Sequence, residues 1–208
     1  RLSSDITIRS NFTNRGTFDA TNTGSPPGYT VTLTNGTNHT ITGTGTAGNT
    51  KFHNLSLTGA GGKKLTIDKK ISVSGNLTLT GTSTDKLTIE GVSTNSSIAL
   101  TTANSAHGQY LKVRTNIPIT GGTYTAEDSL PDGSDTDIQA GKPENWIFTN
   151  YNGTVSWTGK KSNVWADHRN WNPYVIPGKN TIVTIPVVTT QYPKLTANVK
   201  AKTITLAP

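Results

Sequence analysis

Six of the twelve carboxylates in this 208-residue chain fall between positions 127 and 144. Within that stretch Asp132, Asp135 and Asp137 bring hard oxygen ligands to short spacing, and Asp128 lies near enough in sequence to join them. Oxygen-rich sets of this kind hold calcium. The order Asp-Gly-Ser-Asp-Thr-Asp differs from the EF-hand loop, and the glycine-rich nonapeptide of calcium-loaded β-rolls is missing. A solvated acidic loop, running from Glu127 to Asp137, is the competing reading. Calcium is the one metal the sequence nominates, and no other cofactor is expected.

Catalysis demands more. Glycoside hydrolysis needs two carboxyl groups roughly 5 to 10 Å apart across one sugar. Asp68, Asp85 and Glu90 are too scattered along the chain to nominate. His39, His53, His107 and His168 show no metal-ligand spacing, and there is no cysteine to complete a zinc set. Neither a Gly-x-Ser-x-Gly nucleophile turn nor a phosphate-binding Gly-x-x-x-x-Gly-Lys-Ser/Thr loop occurs. Gly59-Ala-Gly-Gly-Lys-Lys64 lies between strand-like runs with no helix to follow, and reads as a turn. The chain is expected not to be an enzyme.

Two groups of residues suit binding. Lys63, Lys64, Lys69 and Lys70 fall in one short stretch and would attract an acidic polysaccharide. Trp157, Trp165 and Trp171 fall close together, and exposed indoles stack on sugar rings. Each has a plainer reading: lysines protect strand edges, and three tryptophans make the small core of a module poor in other large residues. The net charge of +7 is spread unevenly and does not argue for nucleic acid. Thr-x-Thr runs such as Thr30-Val-Thr-Leu-Thr34 resemble flat ice-binding faces, but the irregular strand spacing argues for ordinary sheet surface.

The elements that must carry these residues are strands. Leu55-Ser-Leu57, Leu65-Thr-Ile67, Ile71-Ser-Val73, Leu77-Thr-Leu79 and Leu87-Thr-Ile89 alternate apolar and small polar residues, the signature of half-buried strands. No helical period appears. The steps between them are ten, six, six and ten positions, which leaves room for tight turns only. A parallel β-solenoid and an antiparallel β-sandwich of hairpins both fit. Two-residue Asn-Gly and Asp-Gly turns are few, which favours the solenoid. Composition shifts near residue 150, so the expected organisation is a right-handed parallel β-helix over 1–149 and a small Trp/Pro-rich β module over 150–208. No apolar run is long enough for a membrane helix. With no methionine and strand-like sequence at the last residues, the chain reads as part of a longer exported protein.

The order Ile6-Thr-Ile8, Gly16-Thr-Phe18, Phe52-His-Asn-Leu-Ser-Leu57 and Ile71-Ser-Val-Ser-Gly-Asn-Leu-Thr-Leu79 resembles repeats of large bacterial surface proteins and adhesins, including filamentous-haemagglutinin-like β-helix proteins. The later Trp157-Thr-Gly159, Trp165, Asn170-Trp171 and Pro173 resemble the module that often follows such repeats. The resemblance implies a β-helical build and an extracellular place, on a bacterial surface or secreted. It implies an adhesive, stalk or surface-layer role, with a host matrix protein, a glycan or neighbouring copies as partners. The alternative function is a carbohydrate-binding or polysaccharide-active β-helix module.

Overall fold

The computed structural model describes residues 2, 4–21, 28–43, 50–101, 106–114, 116–132, 145–187 and 191–207. The chain winds in rungs of three short strands. The first rung holds β1 (Ile6–Ile8), β2 (Phe12–Asn14) and β3 (Phe18–Asp19); the second holds β4 (Thr30–Leu33), β5 (His39–Gly43) and β6 (Thr50–Phe52). The third rung is β7 (Asn54–Leu57), β8 (Lys64–Ile67) and β9 (Ile71–Val73); the fourth is β10 (Leu77–Thr80), β11 (Leu87–Gly91) and β12 (Ile98–Leu100). The fifth is β13 (Ala106–Gln109), β14 (Leu111–Arg114) and β15 (Ile119–Thr120). The sixth contributes β16 (Tyr124–Glu127) and β17 (Leu130–Asp132), and the seventh begins with β18 (Trp146–Thr149).

Corresponding strands stack into three sheets of seven, six and five strands. Every pairing in them is parallel. The architecture is therefore a parallel β-solenoid of about seven turns, and the antiparallel sandwich is not formed. Asn35-Gly36 closes no hairpin; it lies on the corner between β4 and β5. The steps of ten, six and six make one circuit around three faces, since the apolar pairs starting at 55, 65 and 71 belong to β7, β8 and β9, and the last ten, from 77 to 87, opens the next circuit.

Alternation places the core on the axis of the coil. Leu55 pairs with Leu77 and Leu57 with Leu79, while Leu65 pairs with Ile89 and Ile89 with Val113. All seven side chains are fully buried. Burying each contributes about 1.5–3 kcal/mol, and identical columns repeat that gain in every turn. Gly108 is needed because a Cβ there would lie 2.7 Å from the ring and the hydroxyl of Tyr124. Gly121 turns a corner at φ +78°, where a Cβ would strike the Leu100 carbonyl.

Corners break the backbone ladder, and Asx side chains repair it. Asp5 Oδ1 accepts from the Thr30 amide at 2.7 Å, Asn11 Oδ1 from Thr40 at 2.9 Å, and Asn38 Oδ1 from Lys64 at 3.0 Å. Asn54 Oδ1 accepts from Asn76 at 2.8 Å. In each case the acceptor belongs to one rung and the donor to the next. This supplies a physical reason for the asparagine-rich composition: a short acceptor satisfies an amide that the turn would otherwise strand.

Beyond β18 follow β19 (Thr154–Trp157), a 3-10 turn (His168–Asn170), β20 (Trp171–Asn172), β21 (Ile182–Ile185) and β22 (Thr203–Leu206). These strands form a fourth sheet in the order β20-β19-β21-β22, in which only the β19–β20 pair is antiparallel. Residue 150, where composition shifts, lies between β18 and β19. A parallel bridge joins Thr149 to Ile176, and the buried residues on both sides of this point make one continuous hydrophobic cluster.

Candidate functional site

The solenoid offers three kinds of surface: flat sheet faces, corners, and a cleft where the last rungs meet the tryptophan-rich region. On the seven-stranded sheet, outward residues align as Thr7, Thr32, Ser56, Thr78, His107, Thr125 and Ile147. Alignment survives the uneven spacing because the corners absorb differences in rung length. The hydroxyl column is interrupted at His107, whose Nε2 lies 3.9 Å from Glu127 Oε2.

The four lysines do not form one patch. Lys63 and Lys64 stand at the start of β8 and Lys69 and Lys70 beyond its end, so roughly 13 Å of extended chain separates the pairs. Lys64 contacts Glu90 at 3.2 Å, and Lys69 contacts Asp68 at 3.9 Å. All four are half-buried. Their sequence proximity thus overstates how much positive charge converges on one point.

The tryptophans are a correction to the sugar-stacking expectation. Trp157, Trp165 and Trp171 are 1%, 5% and 0% exposed, so no ligand ring can lie on them. Trp171 meets Trp157 at 4.9 Å and Trp165 at 4.7 Å, both edge to face. The indole nitrogens of Trp157 and Trp171 donate to the carbonyls of Gln191 and Trp165. Large rings fill this interior because the surrounding sequence supplies few other large apolar residues. Beside them Asn170 is fully buried and saturated: its Oδ1 accepts from the amides of Lys161 and Ser162, and its Nδ2 donates to Ser162 Oγ and the Val164 carbonyl.

The acidic stretch is likewise not all loop. Glu127 ends β16 and Leu130–Asp132 forms β17, because Leu130 and Pro131 stack in register on Lys112 and Val113. Asp128, at φ +42°, forms the corner between the two strands and binds the Asn152 amide through Oδ1 at 3.0 Å. Lys86 Nζ lies 3.5 Å from Asp128 Oδ1 and 5.5 Å from the centre of the Tyr110 ring. Asp135 and Asp137 lie outside the described residues, as does the side chain of Asp132. Among the described residues no group of three or more His, Cys, Asp or Glu gathers as a metal site.

A cleft of about 660 Å³ was not legible in the sequence. Thr123, Asn145, Trp146 and Ile147 form one wall and Val164, Ala166, Asp167, His168, Arg169 and Ile176 the other. Arg169 grips Asp167 through two bonds, Nε to Oδ1 at 2.7 Å and Nη2 to Oδ2 at 2.5 Å. The Arg169 side-chain bond, aided by its backbone amide and its charge, holds the Asp167 carboxyl below its usual range against the opposing effect of burial. An Asp-x-Arg step inside a loop is too common to have signalled this pair. Tyr124, deeper in the coil, is raised well above its ordinary value by burial; its hydroxyl donates to the His107 carbonyl and accepts from the Leu79 amide. That is a packing role, not a catalytic one.

No protein-family model matches the chain, and no curated protein or solved structure matches it either. Among the described residues no helix is long and apolar enough to cross a membrane.

Proposed function

We propose that this chain is a non-catalytic segment of a bacterial surface protein, exposed outside the cell, where it serves as a stiff adhesive or architectural stalk. The observation that supports this best is the stack of parallel strands over about seven turns, with apolar columns inside and a mainly hydroxyl-bearing column along one outer face. Such a stack resists bending because each rung is bonded to its neighbours along the whole axis. It also presents uncharged donors and acceptors at a regular rise of about 4.8 Å, a surface suited to extended ligands such as glycans or matrix protein strands. The reading keeps the resemblance to β-helical adhesin repeats.

A second reading, a carbohydrate-binding module, draws support from the cleft beside Asp167 and Arg169, which combines polar groups with an apolar wall. The two differ in what binds and where. Antibody labelling of intact cells of the source organism tests surface exposure, and labelling only after lysis sinks the stalk proposal. Matrix-protein and glycan panels then compare the native chain with Thr32→Glu/Thr78→Glu and with Arg169→Ala. Loss of binding in the first variant places adhesion on the flat face. Loss in the second alone places it in the cleft.

A further inference from the structure

The outward column of the seven-stranded sheet leads into the cleft. Its last member, Ile147, stands beside Thr125 and is also part of a cleft wall. Thr123 and Asn145, which directly precede β16 and β18, line the same wall. The opposite wall comes from residues 164–169 and from Ile176, whose amide donates to the Phe148 carbonyl at 2.9 Å. Flat face and cleft are therefore one continuous surface. From Thr7 to Ile147 it runs roughly 30 Å, at about 4.8 Å per strand, and then meets the wall.

The chemistry changes along that surface. Most steps of the column offer one small hydroxyl. The cleft adds apolar side chains, Ile147, Val164 and Ile176, and a paired carboxylate and guanidinium. Asp167 Oδ1 already accepts twice, from the Arg169 amide and from Nε, whereas Oδ2 accepts only from Nη2. Among the described residues the other guanidinium N–H groups of Arg169 have no partner, and its side chain is 38% exposed. The pair thus presents donors beside an acceptor, with its two charges cancelled. An anionic ligand must compete with Asp167 for the guanidinium. A neutral pair of neighbouring hydroxyls does not, because one hydroxyl accepts from Arg169 while the other donates to Asp167. Val164, 49% exposed, can cover the C–H face of the same ring.

We propose that the cleft holds the terminal unit of a neutral glycan, with neighbouring hydroxyls of that unit on Asp167 and Arg169 and the rest of the chain running back over Thr125 and Thr78. This rests on the carbohydrate reading of the cleft and adds which glycan it takes and which part of it. The wall beyond Ile147 stops a chain that lies along the column, so the cleft admits an end. The open column admits the interior units, which gain one hydroxyl contact after another.

The test titrates the whole chain with linear cello-, chito-, malto- and manno-oligosaccharides, from disaccharide to octasaccharide, and with heparin as the acidic control. One neutral series is expected to bind, more tightly as it lengthens, and heparin is not. At equal sugar mass, retention of the matching polymer should follow the number of chain ends as it is hydrolysed. Ala166 is exposed, so Ala166→Trp fills the cleft without touching the core, which an unchanged melting temperature confirms. It should weaken every length about tenfold to a hundredfold, as should the near-isosteric Asp167→Asn/Arg169→Gln. Thr78→Glu should weaken only the longer members. Retention that follows total mass, or native binding by Ala166→Trp, overturns the end site while leaving a carbohydrate-binding chain. Preference for heparin overturns the neutral ligand. Silence across the neutral panel removes the carbohydrate reading as well, and leaves the stalk to be judged by surface labelling.

Discussion

Between β7 and β14 a buried residue has a near-copy directly above or below it, as Leu55 has Leu77 and Ile89 has both Leu65 and Val113. After residue 150 such buried columns shrink to Val155 on Val183, and the next residue in line, Ile204, is exposed. Stability there gathers instead at one point, where Trp171 meets Trp157 and Trp165 and Asn170 ties the loop between them. The coil spreads its stability over many small equal contacts, while the later region concentrates it in a few large ones. A repeated column fails locally, since a rung touches only its neighbours. A hub fails as a whole.

The largest expected effects separate these two modes. Trp171→Ala should destabilise by about 3–5 kcal/mol and Leu77→Ala by about 2–5 kcal/mol. Their footprints should differ more than their sizes. Hydrogen exchange should speed up across β19, β20 and β21 together in the tryptophan variant, but only in β7, β10 and β13 in the leucine variant. Equal loosening of the entire chain by both would erase the distinction.

Hydrogen bonds give a smaller contrast of the same kind. Asn170→Ala removes four bonds in a dry setting and strands two backbone amides, so urea midpoints should register a loss of about 2–3 kcal/mol. Asn54→Ala removes a corner acceptor that water can replace, and should lose about 1 kcal/mol. If the two losses match, the corner bonds matter as much as the hub.

The smallest effect is a pH dependence confined to the later region. The folded Asp167 carboxyl sits below its ordinary value, chiefly through its bond from Arg169, so protonation favours the unfolded chain. Its contribution is complete above the ordinary aspartate value of about 3.9 and disappears as pH falls through the lower folded value. Melting followed by tryptophan fluorescence should weaken in acid, and Asp167→Asn should remove part of that slope.

Much of the coil was readable in advance. Leu65-Thr-Ile67 and Leu77-Thr-Leu79 announced half-buried strands because strand alternation is a local property. The acidic stretch misled at its start, since Leu130 and Pro131 become strand only by stacking on Lys112 and Val113. The candidate site was much less readable. Lys63 and Lys70 are near in sequence yet belong to different corners, and the Asp167–Arg169 cleft has no local signature at all.

The sequence alone therefore determined the element type and the inward and outward assignment of the strands from β7 to β11, and the use of Asn and Gly at corners, all of which depend on neighbours within a few positions. Parallel pairing was already the arrangement that the scarcity of two-residue turns favoured; tertiary structure alone decided that the coil has three faces, that the tryptophans face inward rather than towards a ligand, and that a cleft opens beside Arg169. Those outcomes depend on partners such as Leu55 and Leu77, or Trp146 and Tyr124, which lie a full rung apart. Only winding the chain once around the axis brings them together.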